Sequence, residues 1–262
     1  MSELLRVERD GPFARVILTR PDVRNAFNAA LIEELRAAFQ ALAAEPPESL
    51  RGVVLAGEGR TFCAGADVAW MRAAVGLSVA ENRRDATAMQ EMFAAIDACP
   101  LPVIARVQGA ALGGGMGLCA VSDTVVATAD ATFGFTETKL GIVPAVISTF
   151  VLPKIGESHA RALFSTGQRF DAERAWRIGL VHEIVPDEAA LNARIEELLD
   201  ELRSAGPTAI REAKALARAP RLLGTDEAYA RTPRSIAMQR TTSEGQEGLR
   251  AFVERRAPDW RA

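Results

Sequence analysis

Gln108-Gly109-Ala110-Ala111-Leu112-Gly113-Gly114-Gly115-Met116-Gly117 begins where an apolar run, Val103-Ile104-Ala105-Arg106-Val107, stops. The run reads as a buried strand, and the glycines read as the turn that leaves it. Neither common phosphate-binding pattern fits: the glycine spacing of a dinucleotide fingerprint is absent, and no Gly-Lys-Ser/Thr follows. Three consecutive glycines cost backbone entropy, so Gly113 to Gly115 imply a backbone pressed closely against something else. A second helix and a ligand remain equally open at this point. From Val107 to Ser122 the chain is uncharged and carries five glycines. That run is short of the ~20 residues of a membrane-spanning helix, so it reads as a buried loop and the start of a helix.

Working outward, Phe13 to Thr19 alternates like a half-buried strand, and Gly52-Val53-Val54-Leu55-Ala56 reads as a more deeply buried one. Asp123 to Thr128 and Ala131 to Phe135 are further strand candidates. Between them lie helices. Leu31, Leu35, Ala38, Phe39 and Leu42 recur at helical spacing behind Asn28, an N-cap residue type, and Met89, Met92, Phe93 and Ile96 repeat the pattern before Pro100. Strands alternating with helices predict an α/β core over residues 1–190. From Asp187 the pattern changes: Leu191, Ile195, Leu198, Leu199 and Leu202 form one apolar stripe, ended by Gly206-Pro207. Residues 191–262 are expected to be helical, in short segments near 207–219, 225–239 and 243–256. Helices of that length depend on packing to persist, so they are expected to cover the core or to join subunits.

Composition excludes several function classes. The chain has 262 residues, 48% hydrophobic and 25% charged, which is ordinary globular usage. With 31 basic and 34 acidic residues its net charge is -3, so no general basic field attracts nucleic acid or an anionic membrane. An anionic ligand has to be held locally. Cys63, Cys99 and Cys119 are odd in number and widely spaced, which suits a reducing compartment. No basic and apolar leader pattern opens the sequence, so the expected location is cytoplasmic.

Two further segments can carry chemistry. Thr61-Phe62-Cys63-Ala64-Gly65-Ala66-Asp67 is a small-residue turn after a strand, where backbone N–H groups are accessible to an anionic oxygen and Asp67 can cap a helix. Phe133-Gly134-Phe135-Thr136-Glu137-Thr138-Lys139-Leu140-Gly141-Ile142-Val143-Pro144 sets one carboxylate among apolar residues. Burial there would raise the pKa of Glu137 toward the range useful for proton transfer; the alternative is a surface turn pairing Glu137 with Lys139. His159 and His182 are far apart with no second ligand at metal spacing, so no metal is expected. Asp123 reads as a backbone cap.

Taken in order, Arg20-Pro21 with Asn25-Ala26-Phe27-Asn28, then Phe62 to Asp67, Gly109 to Gly115 and Phe133 to Pro144 resemble the crotonase superfamily, the enoyl-CoA hydratase/isomerase proteins. Thr166-Gly167, Gly179-Leu180-Val181 and Glu247-Gly248 through Arg256 extend the likeness over nearly the whole chain. The resemblance implies a spiral of repeated ββα units with a helical C-terminal region, assembled as a homotrimer or a hexamer of paired trimers. It implies an acyl-CoA substrate, CoA being part of the substrate and no separate cofactor being needed. It places the oxyanion-holding N–H groups at Ala66 and Gly114 and the proton-transfer carboxyl at Glu137. The CoA thioester would be bound along Arg24, Ala26, Ala64, Gly65, Ala66, Asp67, Val68 and Gly114, with Arg24 as the phosphate-side cation and Arg255 and Arg256 as candidates to contribute from a neighbouring subunit.

The chain departs from the family pattern at one position. Hydratases of the family flank a water with two glutamates, and the first of these positions is Gly117. The leading expectation is still a hydratase of a 2-enoyl-CoA, because Trp70-Met71-Arg72 and Gly141-Ile142-Val143-Pro144-Ala145-Val146-Ile147-Ser148 resemble 3-methylglutaconyl-CoA hydratase-like members. A single glutamate also suffices to move a proton from C2 to C4, which makes an isomerase of 3-enoyl-CoA the rival. A third reading is a CoA-binding or RNA-associated protein whose catalysis has decayed, although the chain lacks a Lys-rich stripe and aromatic stacking groups. Glu81, Asn82 and Arg83 are candidates for one pocket wall.

Overall fold

The computed structural model describes residues 4–261. Its strands are β1 (Leu5–Asp10), β2 (Phe13–Leu18), β3 (Gly52–Gly57), β4 (Val103–Val107), β5 (Ala110–Leu112), β6 (Thr124–Thr128), β7 (Thr132–Gly134), β8 (Arg169–Asp171) and β9 (Glu183–Val185). The helices are α1 (Ala29–Ala43), α2 (Val68–Ala73), α3 (Val79–Ala98), α4 (Gly114–Val121), α5 (Ala145–Thr166), α6 (Ala172–Arg177), α7 (Glu188–Ser204), α8 (Pro207–Leu223), α9 (Thr225–Thr241) and α10 (Ser243–Glu254). The larger sheet runs β1-β2-β3-β4-β6-β9 and is parallel except for the antiparallel β1–β2 edge. A smaller sheet, β5-β7-β8, stands apart from it.

Parallel strands covered on both faces have to be apolar throughout, and this explains the continuous runs in β3 and β4. Phe13, Val54, Ile104 and Val126 face α7, whose Leu191, Ile195 and Leu199 are buried against them. The intervening residues, including Val53, Leu55, Val103 and Ala105, face the main core with α1, α3 and α4. The α1 start is as its sequence implies, the Asn28 side chain accepting from the Leu31 N–H at 2.8 Å. The C-terminal third is helical as expected, with α8, α9 and α10 close to the three anticipated segments.

The glycine run departs from its reading as loop and helix start alone. Ala110 to Leu112 form strand β5, with Cys63 on one side and β7 on the other: Cys63 N–H donates to Ala110 O and Leu112 N–H to Cys63 O, both at 3.0 Å. This stitching brings the Cys63 turn, the glycine run and the Glu137 segment together. A strand of three residues has too short a period to be read from sequence; its partners create it.

Candidate active site

The turn at Ala64 to Asp67 is clamped to the segment after Arg20. Arg24 and Asn25 both adopt left-handed backbone, with φ of 55° and 56°. The buried Asn25 side chain holds them there by donating to Glu58 O (2.9 Å) and Thr61 O (2.7 Å) and accepting from Arg20 N–H (3.0 Å). Ala64 N–H then donates to Arg24 O at 3.0 Å, and Phe27 N–H to Gly65 O at 2.7 Å. Asp67 N–H donates back to Phe27 O at 2.8 Å. The parallel bridge between Phe27 and Ala66 therefore uses groups on either side of residue 66 and leaves the Ala66 N–H on its other side.

Gly114 is the first residue of α4, so its N–H has no acceptor within the helix. Gly113 before it has φ 49° and ψ -115°, a conformation that turns β5 directly into the helix. The two turns touch: a Cβ on Gly65 would stand 3.4 Å from the Gly114 nitrogen. Glu137 lies against the same place, because a Cβ on Gly113 would stand 3.4 Å from its Oε1. Ala66, Gly114 and Glu137 all line one cavity of about 1060 Å³.

The Glu137 carboxyl has a buried oxygen, Oε2, with no hydrogen-bond partner. Burial pushes its pKa up, and the opposing bond from its own backbone amide is too weak to reverse this. Asp67, also in the cavity wall, is held in the opposite state. Burial would raise its pKa, but the Arg20 guanidinium at 2.7 Å and the Ala69 N–H at 2.7 Å hold it below the usual carboxylate range. Arg20 also donates to the Ala26 carbonyl, so it ties both sides of the turn together. Asp67 is thus an ionised, ion-paired helix cap, and Glu137 is a buried carboxyl whose pKa is raised. Burial pushes the Cys63 thiol up to about 12, and it donates to Asn25 O at 3.3 Å, so it is no nucleophile.

The other expected residues fall as follows. Arg24, Ala26, Ala64, Gly65 and Val68 line the cavity, Arg24 and Val68 from exposed positions. Of Glu81, Asn82 and Arg83, Asn82 lines it while Glu81 completes a capping box with Ser78. Asp123 caps backbone, accepting from Val103 N–H at 2.7 Å and pairing with Lys214. His182 accepts from Val125 N–H at 2.9 Å, and no group of metal-ligating side chains occurs among the described residues. Arg256 pairs with Glu247 and Glu254 of its own C-terminal segment.

Gly117 is absent from the cavity wall and is enclosed. A Cβ there would lie 2.6 Å from Ile147 Cγ2 and 2.6 Å from Phe93 Cζ. The space that a side chain at residue 117 would need is occupied by an aliphatic and an aromatic side chain. Similarly, a Cβ on Gly114 would strike the Phe27 ring at 2.5 Å. The glycine run therefore permits close packing at Gly114, Gly115 and Gly117 and sets Gly113 and Gly114 in the cavity wall. The residues that sequence reasoning missed are Arg20 as the clamp, Met89 and Ala86 of α3 in the cavity wall, Arg169 of β8, and the Phe93–Ile147 pair. Helical spacing marks Met89 and Phe93 as buried, without distinguishing a pocket wall from core.

The family profile described as Enoyl-CoA hydratase/isomerase matches residues 8–262. The chain is 33% identical over 256 residues to a crotonyl-CoA hydratase from Syntrophomonas wolfei, covering 97% of this chain and 96% of the relative. Among solved structures, AtuE from Pseudomonas aeruginosa superposes with a TM-score of 0.95 at 40% identity, over 99% of this chain and 100% of that one. An enoyl-CoA hydratase from Shewanella pealeana superposes with a TM-score of 0.91 at 34% identity, over 98% and 96%.

Proposed function

The chain belongs to the enoyl-CoA hydratase/isomerase family, and we propose that it adds water across the C2–C3 double bond of a 2-enoyl-CoA thioester. The observation that carries the proposal is the meeting of Ala66, Gly114 and the Glu137 carboxyl, whose buried Oε2 has no partner, in one cavity. The Ala66 and Gly114 N–H groups receive the thioester oxygen as it gains charge, a contribution of about 3 kcal/mol for each well-placed donor. The Glu137 carboxylate takes a proton from water as the water oxygen bonds to C3. The π electrons pass to the thioester oxygen, giving an enolate. Glu137 then delivers its proton to C2, the C=O re-forms, and the carboxylate is restored. One group serves in turn as base and acid, which a raised pKa favours because the proton must be held between the two steps.

Arg24 is the cation suited to the CoA phosphates, through charge-assisted hydrogen bonds. The acyl class suggested by the resemblance around Trp70 to Arg72 and Gly141 to Ser148 is branched and 3-methylglutaconyl-like. The C-terminal helices join subunits into a trimer or a pair of trimers, in keeping with the exposure of Tyr229, Ile236, Phe252 and Val253. No helix among the described residues is long and apolar enough to cross a membrane.

A panel of 2-enoyl-CoA thioesters that includes 3-methylglutaconyl-CoA tests the proposal. Turnover should fall about 100-fold or more in Glu137→Gln. Unchanged rates in that variant would remove Glu137 from the reaction.

A second reading is favoured by the enclosure of Gly117, which leaves Glu137 with no second acid at that position. The Glu137 carboxyl can carry a proton from C2 to C4 of a 3-enoyl-CoA. Conversion in isotopic water without oxygen appearing at C3 would identify this isomerase.

A further inference from the structure

Phe27 touches both of the turns that carry Ala66 and Gly114, one through its backbone and the other through its ring. Its N–H donates to Gly65 O at 2.7 Å and its carbonyl accepts from Asp67 N–H at 2.8 Å, which fixes the chain on either side of Ala66. Its ring lies where a side chain at residue 114 would begin: a Cβ on Gly114 would stand 2.5 Å from Phe27 Cε2 and 2.6 Å from Cδ2. Gly114 is the first residue of α4, so the ring bears on the end of the helix that presents the second N–H. Both ends of this connection are held. Before Phe27, the buried Asn25 makes three hydrogen bonds through its side chain and Arg20 donates to the Ala26 carbonyl; after it, Asn28 caps α1. The ring is fully buried and braced edge-on by Phe93 at 6.1 Å, and Phe93 in turn stands against α4 at Gly117. In a close-packed interior a ring held in this way transmits its position to its neighbours.

We infer that Phe27 is a positioning residue whose ring is the spacer between the Ala66 and Gly114 N–H groups. This rests on the reading of those two groups as donors to the thioester oxygen, which the hydratase and the isomerase share. The bond from Leu112 N–H to Cys63 O joins the two turns. Ala66 lies three residues beyond Cys63 and Gly114 two beyond Leu112, and there the Phe27 ring meets the start of α4. Two donors serve one oxygen only if both stand about 2.7–3.1 Å from the place where its charge develops. A smaller side chain at residue 27 lets the start of α4 settle toward the Ala66 turn, and a methyl group at residue 114 drives it away. Either movement leaves one N–H off the oxygen, and a misplacement of about 1 Å is enough to cost about 100-fold in rate.

Infrared difference spectroscopy of bound butanoyl-CoA, labelled with carbon-13 at the thioester carbonyl, tests the spacer. This saturated thioester offers no double bond to the reaction, and its C=O stretch moves to lower frequency as the oxygen accepts hydrogen bonds. Binding to the wild type should lower the stretch, and Phe27→Leu should lose about half of that shift or more, as for one of two donors withdrawn. On whichever 2-enoyl- or 3-enoyl-CoA the wild type converts fastest, Phe27→Leu should lower kcat roughly 10- to 100-fold with little change in KM, because the lost contact strengthens only in the transition state. Phe27→Met, unbranched and close in volume, is expected to fold and should move both readouts in the same direction by less. Gly114→Ala keeps its N–H but should lower kcat about 10-fold or more, and adding Phe27→Leu to it should restore about 10-fold, since the methyl takes the space of the ring. A merely structural role would leave the carbonyl shift of Phe27→Leu at its wild-type value and make the two losses multiply in the double variant; either result overturns the spacer while leaving the donor pair intact. A wild-type protein that binds butanoyl-CoA without lowering its C=O stretch overturns the donor pair and the spacer together.

Discussion

Replacing Gly117 by alanine adds one carbon to an enclosed point beside the active site. That carbon would start 2.6 Å from Ile147 Cγ2 and 2.6 Å from Phe93 Cζ, against an ordinary carbon contact of about 3.7 Å. Each neighbour must yield by about 1 Å, and both are held in the core, so the overpacking cost belongs near the upper end of its usual range, about 3 kcal/mol. Alanine also gains about 1 kcal/mol over glycine within a helix. The net expectation is a loss of about 2 kcal/mol, which for a chain of this length lowers Tm by roughly 4–8 °C. Thermal unfolding at fixed protein concentration measures it, because assembly makes Tm concentration-dependent. Ile147→Ala should relieve part of the clash, so that the double variant is more stable than additivity predicts by about 1 kcal/mol. A Gly117→Ala variant as stable as wild type, or more stable by the helix-propensity gain alone, would refute the account of Gly117 as an enclosed position.

Glu137→Gln should separate stability from activity. Because the folded pKa of Glu137 is raised, the native state binds its proton more tightly than the unfolded chain does, and the favourable contribution of the protonated group is lost as pH rises through the folded value. The amide, neutral throughout, should therefore be more stable than wild type at pH 8 by about 1 kcal/mol, the low end of the cost of an unsatisfied buried group. The advantage should vanish toward pH 4; a constant difference across that range would contradict the burial argument. Arg20→Met leaves the Asp67 carboxylate buried without its guanidinium and should cost about 3 kcal/mol at pH 7. Since the folded pKa of Asp67 is lowered, that pair contributes above the ordinary carboxylate pKa and loses its contribution as pH falls through the folded value. Urea unfolding should show the gap between variant and wild type narrowing in acid, and a gap that widened there would be inconsistent with the ion pair.

Several features were legible because they are written in near neighbours. The Asn28 cap depends on a residue only three positions away, and the α7 stripe depends on a repeat that brings Leu191, Ile195 and Leu199 to one face. The small residues at Ala64 to Ala66 and Gly113 to Gly115 announce close backbone approach, and Glu137 stands out as a carboxylate amid apolar residues. The Arg20–Asp67 pair spans 47 positions and leaves no such trace, since each residue alone is an ordinary surface type. The same holds for β5, which owes its form to Cys63 and β7.

Local chemistry in the sequence marked which segments could hold an anionic oxygen and which residue could move a proton, while the expectation of a second acid at Gly117 came from the family resemblance alone. What encloses Gly117 was decided only when α3 and α5 packed onto α4 and brought Ile147 and Phe93 against it. The physical reason is that a side chain's type and spacing are properties of the chain, whereas the occupant of a space is a property of every element that closes upon it.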